Sequence, residues 1–253
     1  MKKIEDELGV SLFNRTKNAV TLNELGELAA RYAQSIIDLQ QNMTDAIHAA
    51  DKKRYTLSFA SCAPAPIIEL TPMVAQLYVG LSVSTELLGD DAMWRGLNDG
   101  SFEFICTREA PDDDGLVSVP LMRERLSVLV SKDHHLAKRE SVALSELANE
   151  TFLLDSNVGF WLDLCEKNIP NASLIKQERR EDLYAIVDSS NLPSFATNIS
   201  ERWRTLPTGK IAVPISDECV DVTYHFVCKK ENERRLFPLI SELKSFYKGT
   251  TRL

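Results

Sequence analysis

The chain has 253 residues, 44% of them apolar, with 29 Lys/Arg against 37 Asp/Glu and a formal net charge of −8. That is enough apolar material for a real core and more than one folding unit, and no run approaches a membrane span or a signal peptide. Five cysteines (Cys62, Cys106, Cys165, Cys219, Cys228), odd in number and without metal-ligand spacing, argue against a disulfide framework or a zinc site. The chain therefore reads as a soluble, reduced, cytoplasmic protein without a membrane partner. Its charge is unevenly divided: residues 1–54 carry eight basic and eight acidic residues, whereas residues 55–253 carry 21 and 29. The body should repel nucleic acid, since affinity for it depends on neutralising phosphates.

Residues 1–8 read as the end of a helix stopped by Gly9, a natural C-cap residue. Leu12 and Phe13 would pack beneath it. A two-stranded wing is expected between Arg15 and Leu22, turning at Lys17-Asn18 because Asn tolerates positive φ. Asn23 is a good N-cap for a helix running to about Asp51 without proline. Its apolar residues Leu25, Ala29, Tyr32, Ile36, Leu39, Met43, Ala46 and Ala50 alternate spacings of four and three, an a/d seam. At about 1.5 Å per residue the helix is roughly 43 Å long, too long and too one-sided to bury its stripe against itself. A dimerisation helix is the favoured reading and a core helix the alternative. The charged run Asp51-Lys52-Lys53-Arg54 is taken as a break and linker.

From Tyr55 short apolar runs alternate with helical ones. Strands are expected at 55–60, 81–88, 102–107, 126–131, 151–155, 173–178, 193–197, 210–216 and 220–230. Helices are expected at 67–78, 91–99, 141–150, 160–168, 181–189 and 233–247. This alternation predicts an α/β fold with largely parallel sheets.

No catalytic constellation stands out: there is no phosphate-binding glycine loop, no nucleophile elbow and no paired-histidine metal motif. His134 and His135 are adjacent, so their side chains should diverge, and no third ligand is near in sequence. Asp112-Asp113-Asp114 lacks the alternating spacing of a calcium loop, and His225, in an apolar strand, reads as a satisfied core or crossover residue. No metal and no cofactor are expected. Cys62 lies between a strand end and a helix start, where amide dipoles can lower a thiol pKa; it reads as packing, as cleft-lining, or as a redox thiol with Cys106 as its resolving partner.

Two sets of residues carry a family resemblance. The first is Ile4, Glu5, Leu8, Gly9, Leu12, Phe13 and Arg15, followed by Val20, Leu22, Asn23 and Gly26. The second is Leu97-x-x-Gly100, Asp113-Asp114-Gly115-Leu116-Val117-x-x-Pro120-Leu121, the strand from Arg125 to Val130, Asp133-His134-x-Leu136-Ala137 and Ser145-Glu146-Leu147. In order and spacing they resemble LysR-type transcriptional regulators over essentially the whole chain. Asn23 stands for the usual Thr, His135 for a frequent Pro, and Asp188 to Pro193 for a small Gly-containing turn. Against the family pattern the chain begins inside the recognition helix, so the first helices of the winged helix-turn-helix are expected to be absent.

The resemblance implies a remnant of that domain over 1–22, a linker and dimerisation helix over 23–54, and an effector-binding domain over 55–249. The latter would have the two-lobed periplasmic-binding-protein type 2 fold, with lobe one at 55–131 and 221–249 and lobe two at 132–220. Ligands in such sheets bind beyond the carboxyl ends of strands, near helix N-termini. On this chain those points are Ser61, Cys62 and Ala63, Asp90, Thr107 and Arg108, Ser156 and Asn157, and Ser190 and Asn191. Arg108 could hold a carboxylate or pair with a nearby acid. The expected function is a non-enzymatic regulator sensing a small polar or anionic metabolite, with promoter DNA as partner of the full-length form and a homodimer or tetramer as its assembly. Lys2, Lys3, Arg15 and Lys17 would contact DNA if the domain were complete; the chain as given is not expected to bind a specific site. The alternative is a ligand-binding dimer of the same fold that has lost DNA binding.

Overall fold

The computed structural model describes residues 2–16 and 20–250 and falls into two compact units, residues 1–54 and 55–253. In the first unit, α1 (Lys2–Leu8) ends at Gly9, whose φ of +69° lets its N–H return to the Glu5 carbonyl at 2.9 Å. Glu5 then organises the chain as far as Arg15. Its carboxylate accepts from the Leu12 N–H at 2.7 Å, the Phe13 N–H at 3.3 Å, the Ser11 hydroxyl at 3.1 Å and the Arg15 guanidinium at 2.7 Å. The Leu12 N–H, above all, holds the Glu5 carboxyl below its usual range. Strands β1 (Phe13–Arg15) and β2 (Val20–Leu22) pair antiparallel, Phe13 opposite Leu22.

Asn23 opens α2 (Glu24–Tyr55) as expected, its side-chain oxygen accepting from the Gly26 N–H at 2.8 Å. Gly26 is required there, because a Cβ would fall 2.1 Å from the Leu12 carbonyl oxygen. The charged run 51–54 does not break the chain: α2 continues to Tyr55, since Asp, Lys and Arg carry no steric bar to the helix. Leu25, Tyr32, Ile36, Leu39 and Met43 are exposed along it and Ala29 is half-exposed. The Lys17-Asn18 turn, and the side chains of Lys2, Ala46 and Ala50, lie outside the described residues.

The second unit is α/β in chain order. It opens with β3 (Thr56–Ser61), α3 (Pro64–Leu77), β4 (Ser82–Leu87), α4 (Asp90–Asp99), β5 (Phe104–Thr107) and the long β6 (Leu116–Ser131). Next come β7 (Thr151–Asp155), α5 (Phe160–Asn168), β8 (Ser173–Gln177), α6 (Arg180–Ser189), β9 (Ser194–Thr197) and α7 (Ser200–Trp203). The chain closes with β10 (Lys210–Pro214), β11 (Asp221–Lys229) and α8 (Glu233–Thr250). Strands run β4-β3-β5-β11-β6-β9-β7-β8, with β10 also on β6.

The sheet is mixed rather than largely parallel. Parallel pairs lie toward each end (β3 with β4 and β5, β7 with β8 and β9), whereas β6 and β11 cross between the lobes and pair antiparallel. Along β6 the partner changes in mid-strand: Arg125 faces Asp221 of β11, and Leu126 faces Thr197 of β9. The first half of β6 escapes the sequence pattern because it contains Pro120. Proline cannot donate to a ladder, and the register of β11 shifts between Tyr224 and His225, where Pro120 is the partner. The helix expected at 141–150 is only a short 3-10 turn over Leu144–Leu147, preceded by a bridge from Val142 to Ile215 and followed by Asn149 at φ +63°. Phe104 stacks on Phe59 at 4.6 Å and meets Phe226 tilted at 4.7 Å, and these rings centre the first lobe's core.

Candidate functional site

The place where β6 changes partner holds a buried acid. Met122, Glu124, Leu126 and Val128 share the inward phase of the strand, so the pleat that buries three apolar residues also buries Glu124. Its carboxylate draws donors from three other elements: the Thr197 hydroxyl of β9 at 2.7 Å on Oε1, the Tyr224 hydroxyl of β11 at 2.6 Å on Oε2, and the Trp161 indole N–H of α5 at 3.2 Å on Oε2. Burial pushes the Glu124 carboxyl up, and the three donors partly pull it back. Burial, with Glu124 beside it, also drives the Tyr224 hydroxyl well above its usual range.

Beside Glu124 opens a cavity of about 150 Å³. Leu129, Leu153 and Ala196 floor it from the sheet, Leu183, Tyr184 and Val187 of α6 roof it, and Pro64 and Ala65 reach its rim from α3. Two guanidinium groups line it, both engaged: Arg180 Nε lies 3.2 Å from Asp155, and Arg204 pairs with Asp188 and covers the Tyr184 ring at 4.0 Å. Ser194 also lines it, with its hydroxyl buried and without a hydrogen-bond partner among the described residues.

The residues singled out from sequence lie around this cavity, not on its wall. Ser61, Cys62 and Ala63 are buried; the Ser61 hydroxyl donates to the Ala63 carbonyl, and the Cys62 carbonyl accepts from the Phe160 N–H at 3.1 Å. The two lobes meet there, and Gly159, at φ +64°, leaves no room for a Cβ, which would lie 2.0 Å from the Cys62 oxygen. Arg108 joins the same contact, 2.9 Å from Asp90 and 4.4 Å above the Phe160 ring, while its buried Nε has no hydrogen-bond partner among the described residues. Thr107 is buried at the end of β5. Ser156 and Asn157 tie the end of β7 to the Gln177 and Glu178 carbonyls. Ser190 and Asn191 follow the far end of α6. Thus Ser61, Cys62, Asp90 and Arg108 come together, while Ser156 and Asn157 form a separate group and Ser190 and Asn191 another.

Sequence reading missed Glu124, Trp161, Ser194 and Thr197. A signal for Glu124 was present: a charged residue on the apolar phase of an alternating strand needs buried partners.

His134 and His135 do not diverge. Their rings lie 4.5 Å apart, and both Nε2 atoms sit 3.4 Å from Glu150 oxygens. All three ligand atoms fall within 4.8 Å of one another, three of the four a tetrahedral cation takes. His134 Nδ1, however, accepts from the Leu136 N–H at 3.3 Å, which leaves the proton on Nε2 and opposes ligation through it.

Of the three readings of Cys62, its burial and that of Cys106 agree with packing. Burial pushes the Cys62 thiol up to about 12 and Cys106 well above its usual value, so no helix-terminus activation survives. Around the wing, Arg15 is held by Glu5 and Lys3 is exposed, while the Lys2 side chain and Lys17 fall outside the described residues. No described helix is long and apolar enough to cross a membrane.

A family model described as the LysR substrate binding domain matches residues 48–245. Among curated proteins, the chain is 27% identical over 158 residues to an uncharacterized HTH-type transcriptional regulator, YybE of Bacillus subtilis, covering 60% of this chain and 53% of that one. To the DNA-binding transcriptional dual regulator OxyR of Escherichia coli it is 24% identical over 161 residues, covering 61% and 52%. The chain thus matches about half the length of these relatives. Among solved structures, a full-length OxyR variant from Pseudomonas aeruginosa superposes with a TM-score of 0.58 at 20% identity over 96% of this chain and 87% of that one. Full-length BenM gives 0.56 at 20% identity over 98% and 85%. These likenesses establish the fold.

Proposed function

This chain belongs to the LysR substrate-binding domain family, and from that premise we propose that it is the effector-sensing part of a cytoplasmic transcriptional regulator, not an enzyme, that works as a homodimer or tetramer. The observation carrying the reading is the cavity at the crossover. Glu124 sits on a strand shared by both lobes, and Trp161, Thr197 and Tyr224 converge on it from three elements. A small molecule beside Glu124 would therefore bear on the relative setting of the lobes, which is what a ligand-driven switch requires. The ligand expected from sequence is a polar or anionic metabolite; Arg108 pairs with Asp90 through one nitrogen and keeps a buried Nε without a partner among the described residues at that end of the cleft.

Promoter DNA is proposed as partner of a full-length form carrying a complete winged helix-turn-helix; the solved relative CbnR is described in complex with its target DNA. The test is an in-frame reading of the nucleotide sequence upstream of Met1, followed by footprinting of that longer chain on the adjacent promoter. A protected site whose pattern changes with a cavity ligand supports the regulator. Ligand binding by a dimer with no upstream helix-turn-helix and no footprint would instead favour a ligand-binding dimer without DNA function. Peroxide sensing, as in the hydrogen peroxide-inducible activators among the relatives, has little support here, because both candidate thiols are buried with raised pKa.

A further inference from the structure

Resting on the reading that the crossover cavity is the effector site, we propose that α7 is a gate across the mouth of that cavity, latched to the first lobe by Glu69. An effector enters by parting Trp203 from Glu69.

The latch runs from one lobe to the other. The Trp203 indole N–H donates to Glu69 Oε1 of α3 at 3.0 Å, and the Arg202 guanidinium lies 3.7 Å from the same oxygen. Among the described residues these are the only side-chain hydrogen bonds and ion pairs from α7 to the first lobe. Trp203 lines the cavity and yet is 38% exposed, so its ring stands between the void and solvent. Ala65, on the rim, and Glu69 are four residues apart on α3 and share a face of that helix. The oxygen that holds Trp203 is therefore beside the opening.

Little else holds α7 down. None of its four residues is buried, and a segment with few buried contacts opens at far lower cost than the core. Its root, in contrast, is fixed to β6. The Asn198 side chain accepts the Arg125 N–H at 2.7 Å and donates to the Arg123 carbonyl at 3.2 Å, and Ile199 is buried next to it. The tip can swing while the root stays. The root also ties the gate to the site. The Thr197 hydroxyl that donates to Glu124 accepts the Ser200 N–H at 3.0 Å, and the Ser200 hydroxyl accepts the Thr197 N–H at 2.8 Å. A displaced α7 thus bears on the hydroxyl that holds Glu124.

Cys165 gives the test a reporter of access. It lines the cavity one turn along α5 from Trp161 and is 1% exposed, whereas Cys106 and Cys228 are as deeply buried but do not line it. The full chain is alkylated with iodoacetamide under native conditions, and each cysteine is followed by peptide mass spectrometry. Glu69→Ala should speed alkylation of Cys165 about 10-fold, and Trp203→Phe, which removes the same bond from the other side, by a similar factor. Cys106 and Cys228 should keep their wild-type rates. The double variant should be no faster than the faster single one, because both remove one shared contact. Glu69→Gln, which keeps an acceptor for the indole, should raise the rate less than Glu69→Ala. Should one single variant not fold, the other carries the test. Wild-type Cys165 rates in Glu69→Ala and Trp203→Phe, or equal acceleration of Cys106 and Cys228, overturn the gate. Alkylation reads access to the cavity whatever fills it, so either result leaves the effector reading to the footprint. A working gate on a cavity whose ligands never alter the footprint strikes the effector reading and leaves the gate.

Discussion

Trp161 donates its indole N–H to Glu124 Oε2 at 3.2 Å, tying α5 of the second lobe to the strand that runs through both lobes. Trp161→Phe removes this donor and, because Phe is smaller than the buried indole, some packing as well. Leaving a buried acceptor short of a donor costs about 1–3 kcal/mol, so urea unfolding should show a loss of at least that size. An unchanged midpoint would mean that the contact contributes nothing net.

Glu124 should also leave a signature in the pH dependence of stability. Folding raises its pKa, so between the unfolded value, about 4.3, and the raised folded value the native state binds more protons than the unfolded chain. Its contribution is fully present below the unfolded pKa and is lost as pH rises through the folded one. Glu5 and Glu146, both lowered by backbone N–H donors, act in the opposite sense and lose theirs as pH falls. The stability of wild type minus that of Glu124→Gln should therefore decline with rising pH across this window. A difference independent of pH would sink the assignment.

The exposed stripe of α2 makes a prediction about assembly. Ile36 and Leu39 are 67% and 69% exposed within a regular seam, which is where a second copy would dock by knobs into holes. Replacing both with Glu should give a monomer by analytical ultracentrifugation while the α/β unit keeps its unfolding transition. An oligomer of unchanged mass would place the interface elsewhere.

Gly159 combines a positive φ with a neighbouring carbonyl that a Cβ would meet at 2.0 Å. Gly159→Ala should cost at least about 1–3 kcal/mol in backbone strain alone, seen as a lower Tm. It should also disturb the Phe160–Arg108 stack beside it, so near-ultraviolet circular dichroism should change. Wild-type values of both would show that the lobes adjust freely at this contact.

Cysteine labelling offers an independent check on burial. Cys219 is exposed, whereas Cys62, Cys106, Cys165 and Cys228 are buried. Burial pushes Cys62, Cys165 and Cys228 up to about 12. Under native conditions iodoacetamide should modify Cys219 first, and the other four only as the chain opens. Rapid native labelling of Cys62 would restore it as a reactive thiol.

The first unit was the most legible part of the chain, because its determinants are local. Gly9 stops α1, Asn23 caps α2, Gly26 allows Leu12 to approach, and the four-three spacing marks the seam without knowledge of the rest. In the second unit, strand 151–155 and helix 160–168 coincide with their sequence expectation for the same reason: a short periodic run between clear stops. The cavity was not legible. Strand ends and helix N-termini pointed to Ser61, Cys62 and Arg108, yet the Ser61 hydroxyl bonds within its own turn, Arg108 pairs with Asp90, and Cys62 meets Phe160 through its backbone carbonyl. Glu124 took its place only through Thr197 and Tyr224, 73 and 100 residues away. Periodicity assigns a residue to a face, since neighbours along the backbone fix it. Which distant donors satisfy a buried charge depends on strand order and on where β6 changes partner, and those are set by long-range pairing alone.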